Sequence, residues 1–135
     1  MENRFERRIK GYRSYVKGIE FERKIANWLS NQGYSIKKLR QRSKKFGEVD
    51  IIAIKYGLFG RVKEVLFVEC KDKDKVSLKD FHRFVRKFSK FLEREPKASG
   101  IFIYRGELEK DVKDYYENTL DVELHDLIKI KKWRG

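Results

Sequence analysis

Glu69 and Lys71 stand two positions apart in Phe67-Val68-Glu69-Cys70-Lys71, a segment whose apolar residues predict a strand. Alternation along a strand sends both side chains out of one face and Cys70 out of the other. Asp50 sits inside the run Val49-Asp50-Ile51-Ile52-Ala53-Ile54, where an ionised carboxylate is costly unless it is paired or bound to a cation. A hairpin between the two segments can bring Asp50 beside Glu69. Two carboxylates and one ammonium in a small volume suit phosphodiester hydrolysis. Mg²⁺ takes oxygen ligands, commonly one or two carboxylates with water and phosphate. Bound metal polarises the phosphoryl group and acidifies a coordinated water, and a nearby lysine orients that water or offsets developing charge. Glu22 is a third candidate acid: at about 100° per residue it falls at the edge of the stripe Phe21, Ile25 and Trp28, on the side of Leu29.

Each of these residues has an ordinary reading as well. A helix glutamate is most often solvated, and Glu69 with Lys71 fits an exposed ion pair at a strand end. Asp50 is harder to treat this way, because aspartate is depleted from strand interiors. The combination is more specific than its members.

The elements that must position these groups follow from hydrophobic spacing. Phe5, Ile9, Tyr12 and Val16 predict an amphipathic helix over residues 3–17, with Gly18 breaking or bending the chain before a second helix over 19–32. Tyr34 to Leu39 reads as a short strand that leads into a basic loop. Glu48 to Ile54 reads as a strand buried on both faces, and Tyr56-Gly57-Leu58-Phe59-Gly60 as the turn into a return strand, Arg61 to Lys71. Residues 77–94 form an amphipathic helix with Ser77 as N-cap, ended at Glu95-Pro96. Ser99 to Tyr104 is a further strand, Leu108, Val112, Tyr115 and Tyr116 mark a fourth helix, and Asp121 to Leu124 reads as a last short strand. The α/β order predicts a mixed sheet with helices on both faces.

The chain has 135 residues, enough for one domain. No apolar run approaches the ~20 residues of a membrane span, and the first residues lack a signal-peptide pattern. Cys70 is the single cysteine, which excludes an intrachain disulfide and fits a reducing compartment. The expectation is a cytoplasmic protein, associated with the nucleoid. Lys and Arg number 34 against 21 Asp and Glu, a net charge of +13, and a surplus of this size attracts polyanions, nucleic acid first among them. Lys37, Lys38, Arg40, Arg42, Ser43, Lys44 and Lys45 lie in a stretch without any acid, just before the Asp50 strand. Lys79, Arg83, Arg86 and Lys90 recur at spacings of 4, 3 and 4 on the predicted helix, either as a solvated face or as a ridge that follows phosphates. His82 and His125 fit no motif. The absence of Cys/His zinc spacing and of a Gly-rich phosphate loop disfavours a zinc enzyme and an NTPase.

Gly47-Glu48-Val49-Asp50-Ile51-Ile52-Ala53, a hairpin, and Phe67-Val68-Glu69-Cys70-Lys71 together resemble the core motif of the PD-(D/E)XK nuclease superfamily. Lys17-Gly18-Ile19-Glu20-Phe21-Glu22-Arg23-Lys24 resembles the first-helix motif of archaeal Holliday junction resolvases, with Glu22 at the metal-binding glutamate. Gly100-Ile101-Phe102-Ile103-Tyr104, a helix, and Val122-Glu123-Leu124 are similar to the end of Mrr-like restriction endonuclease domains. Val49 stands where proline is usual, the hairpin is longer than in resolvases, and the basic helix before Lys17 has no counterpart in them. The resemblance implies a restriction-endonuclease-like fold with a four-stranded core sheet over residues 18–135, preceded by a basic helical extension at 1–17. It also implies Mg²⁺ (or Mn²⁺) held by Glu22, Asp50 and Glu69, with Lys71 assisting DNA backbone cleavage, and it sets Ser43 where resolvases carry a catalytic-loop serine. Three functions stay open: a junction-selective endonuclease working as a homodimer, an Mrr-like restriction or repair enzyme on duplex DNA, and a DNA-binding module without activity.

Overall fold

Apolar residues on both sides of one strand serve two cores at once. The computed structural model describes the backbone of residues 2–43 and 47–135, and the side chains of all of these except residues 38–43 and 47–50. Strand β2 (Gly47–Tyr56) sends Ile51 and Ala53 into one hydrophobic cluster and Ile52 and Ile54 against the other. Strand β3 (Val62–Val76) divides in the same way, with Leu66, Val68 and Cys70 on the first side and Val65 and Phe67 on the second. Both strands are thus buried on two faces, as their unbroken apolar runs predict.

Five strands form one sheet in the order β1-β2-β3-β4-β5, one more than the resemblance implies. Strand β1 (Ser35–Ser43) pairs antiparallel with β2, and β2 with β3 through a turn at Leu58–Gly60. Strands β4 (Ala98–Leu108) and β5 (Ile128–Lys132) add in parallel on the far side of β3. The segment expected as a basic loop is therefore strand as far as Ser43. Of its cationic residues, Lys37 is exposed, with its ammonium 5.3 Å from the Tyr56 ring. The side chains of Lys38, Arg40, Arg42 and Ser43, and all of Lys44 and Lys45, lie outside the described residues.

Helix α1 (Arg4–Asn31) covers one face through Phe21, Ile25 and Leu29. It is one helix of 28 residues, which corrects the expected break at Gly18. A Cβ placed at Gly18 would meet nothing within 4 Å; the glycine is neither a turn nor a close-packing site, and its helical neighbours carry the helix through it. Helix α2 (Leu78–Arg94) covers the other face. Ser77 caps it as predicted, its hydroxyl accepting from the Asp80 N–H while the Asp80 carboxylate accepts from the Ser77 N–H. Phe81, Phe84 and Phe88 lie fully buried along its inner side. Gly100 on β4 lets this helix come close, since a Cβ there would stand 3.1 Å from Phe84 and 3.2 Å from Phe88.

After α3 (Lys110–Asn118), the segment expected as a strand at residues 121–124 begins a short helix, α4 (Val122–Leu127), and the last strand follows it. The Asp121 side chain accepts from the Glu123 N–H and starts that helix, and Leu124 and Leu127 turn toward the core while Val122 stays exposed. His82 packs edge-on against Tyr115, and His125 stacks on Tyr116. No helix among the described residues is long and apolar enough to cross a membrane.

Candidate active site

The β2–β3 ladder runs from Tyr56–Val62 to Ile51–Val68. Among the described residues, β3 continues from Glu69 beside β4, while Gly47, Glu48 and Val49 continue beside β1. The described β2–β3 pairing ends at this point. Carried one step past the last pair, its register would set Asp50 opposite Glu69; the Asp50 side chain lies outside the described residues.

Glu69 and Lys71 leave β3 on the α2 side, as alternation predicts. Glu69 is 3 % exposed and accepts from the Lys87 ammonium, with Nζ 3.2 Å from Oε1 and 3.4 Å from Oε2. Two residues on, the Lys71 Nζ is 4.0 Å from Asp80 Oδ1, and the Lys73 Nζ is 2.9 Å from Asp80 Oδ2. Burial alone would push the Asp80 carboxyl up, but the bonds from Lys73 and the Ser77 N–H and the charge of Lys71 outweigh it and hold it below the usual range. Asp80 thus caps α2 and ties down two β3 lysines. Lys87 and Asp80 were not singled out from sequence. Their signal is a spacing of seven, two helical turns, which sets both on the flank of α2 that faces β3.

Glu22 lies on the opposite face with α1, and it too is buried, at 6 % exposure. Its height along the sheet follows from two contacts. Lys17 Nζ is 3.4 Å from Asp72 Oδ1, and Tyr34, just past the end of α1, bonds Glu64 near the start of β3. Helix and strand therefore run in opposite directions. Five helical residues beyond Lys17 are about 7.5 Å of rise, or about two strand residues, which brings Glu22 level with Cys70 and Glu69. Asp72, on the same side as Glu22, is clamped by Arg105, whose Nε lies 3.2 Å from Oδ1, and by Lys17. Burial would raise its carboxyl, but these two cations hold it low. The Arg105 guanidinium also lies 4.7 Å from the Phe21 ring.

The structure thus brings Glu69 and Lys71 to one face and Glu22 to the same height on the other. Among the described residues no three carboxylate, imidazole or thiol groups come together as a metal site. On the outer side of α2, Lys79, Arg83, Arg86 and Lys90 are all exposed. Their stripe is a property of the folded helix as well as of the spacing.

A search of curated proteins gives no match. Among solved structures, a protein of unknown function, AF1548, superposes with a TM-score of 0.58 at 18% identity, over 85% of this chain and 57% of that one. At that identity the likeness shows the fold, and this chain spans little more than half of the neighbour's length. The profile of a family described as restriction endonuclease, the Mrr catalytic domain, matches residues 14–134, a span that takes in the part of α1 bearing Glu22, both hairpin strands and the C-terminal strand. The sheet flanked by helices and this match agree, and the chain belongs to the Mrr-type restriction endonuclease family, with a nuclease domain of the PD-(D/E)XK kind.

Proposed function

We propose that this chain is a metal-dependent DNA endonuclease that cuts branched DNA in preference to plain duplex. The observation that carries the reading is the burial of Glu69 two residues from Lys71, at the end of the described β2–β3 pairing. A buried carboxylate needs compensation, and a cation held at this end of the ladder would add to what the Lys87 ammonium supplies. Glu22 at the same height and Asp50 one step beyond the ladder are the other two members.

The donor set fits the ion. Carboxylate oxygens are the hard ligands that Mg²⁺ and Mn²⁺ take, and Glu22, Asp50 and Glu69 would hold it. When bound, such an ion supplies Lewis-acid polarisation of the phosphate and an acidified water. Lys71, whose side chain keeps 24% of its exposure, reaches the scissile phosphate and offsets its charge. Lys87 balances Glu69 from behind, and Asp80 keeps Lys71 and Lys73 from swinging away. Lys37, Lys38, Arg40, Arg42, Ser43, Lys44 and Lys45 on and after β1, with Lys79, Arg83, Arg86 and Lys90 on α2, hold the DNA backbone. Contacts of this type position DNA without reading bases, which supports recognition by shape. Paired cuts on a junction require two copies of the chain.

A second reading, restriction or repair cleavage of ordinary duplex, is favoured by the family match itself. The test is a labelled four-way junction and a duplex of equal sequence, each incubated with Mg²⁺, Mn²⁺ or EDTA. Paired incisions confined to the junction and dependent on metal are expected. Duplex cleavage at equal rate transfers the function to the second reading, and binding without cleavage in either metal refutes an enzyme.

A further inference from the structure

Helix α1 carries two apolar stripes that face in opposite directions. Phe21, Ile25 and Leu29 form the stripe that lies on the sheet. Phe5, Ile9, Tyr12 and Val16 form the other, and at about 100° per residue its centre is turned about 170° from the first. Every residue from 4 to 15 is exposed, with Phe5 and Tyr12 each at 70%. The first turns of α1 are therefore an arm about 18 Å long that leaves the body with its apolar side turned away from its own sheet. Such a stripe faces away from the body and is left uncovered by the described residues.

The spacing identifies the kind of partner. Phe5, Ile9, Tyr12, Val16 and Ile19 recur at 4, 3, 4 and 3, the period of a helix that seats a second helix along a narrow seam. The positions flanking one side of that seam alternate in sign: Glu6, Arg13, Glu20. We infer that the arm pairs with the arm of a second copy, antiparallel, about a twofold axis between Ile9 and Tyr12. This sets Phe5 against Val16 of the second copy and Ile9 against its Tyr12, and it brings Glu6 to Arg13 of the second copy on one flank. A parallel pairing would instead set Arg8 against Arg13 of the second copy, like charge on like. The small number of seam residues puts the interface near the ~1,000 Å² lower limit of specific association, so the dimer is reversible. The inference rests on α1 alone and stands or falls separately from the nuclease reading.

Sedimentation of the full chain from about 1 to about 200 µM tests it by mass action. The mass is expected to double over that range, and Ile9→Asp is expected to stay monomeric with an unchanged circular dichroism melt of the body. Glu6→Arg and Arg13→Glu should each weaken the dimer at least about tenfold, and the double variant Glu6→Arg with Arg13→Glu should restore it. A monomer at every concentration overturns the pairing, as does a dimer indifferent to Ile9→Asp. DNA affinity that rises with Glu6→Arg and falls with Arg13→Glu, without any dimer, would assign the arm to nucleic acid instead.

Discussion

At the scale of single residues, the site depends on charges held in place by other charges. Glu69 is buried beneath Lys87, and removing one partner of a buried pair takes away part of what compensates the other. Lys87→Met should lower stability in urea by about 3 kcal/mol, whereas truncation of an exposed lysine such as Lys79 should change it by less than about 0.5 kcal/mol. Asp50→Ala is expected to leave DNA binding intact in a gel-shift assay and abolish cleavage. Acid should act through Asp72 and Asp80, whose carboxyls are both held below the ordinary range by their cations. Because the folded form is the weaker base, the unfolded chain takes up these protons first. The stabilisation is present above about pH 4 and is lost as pH falls through the folded values. The thermal midpoint should therefore drop on acidification below that point, less steeply in Asp72→Asn. The candidate residues stand out in the sequence because Glu-x-Lys and a lone aspartate in an apolar strand are local patterns. The Glu69–Lys87 and Asp72–Arg105 pairs were not, since each joins residues that only the packing of α2 on β3, or the parallel β3–β4 pairing, brings together.

Elements with a complete local code could be read almost to the residue. The helix α2 combines a reciprocal cap at Ser77 and Asp80 with an unbroken apolar period and Pro96 just beyond its end, so its limits needed no tertiary information. Two of the misjudged elements had ambiguous codes. Gly18 carries the signal of a break, but α1 continues through it with open space around its Cα; Gly18→Ala should raise stability by about 0.4–1 kcal/mol in a denaturant series. Val122-Glu123-Leu124 alternates as a strand would over three residues, too few to tell the periods apart, and the Asp121 cap decided for helix. Gly106 is the opposite case to Gly18. It has φ +112 and stands where a Cβ would meet the Lys73 carbonyl oxygen at 1.7 Å, beside the irregularity in the β3–β4 ladder between Asp72 and Lys75. Gly106→Ala should cost more than about 2 kcal/mol and disturb the Asp72 and Lys73 contacts along with the fold.

For the molecule as a whole, sheet order could be inferred only in part. The β1–β2–β3 meander follows from short connections, whereas the parallel additions of β4 and β5 depend on helices that must cross a face. That topology has a kinetic and an optical consequence. A meander closes through local contacts, while parallel pairing waits for long loops to be ordered, so β5 is expected to join late. Its end places Trp133 edge-on to Trp28, with ring centres 5.7 Å apart, and to Phe21 at 6.2 Å. The chain has two tryptophans, and both are in this contact. Intrinsic fluorescence is thus a natural reporter on the clasp that fastens the C-terminal strand to the first helix, the last seam to shut in refolding and the first to spring open under stress.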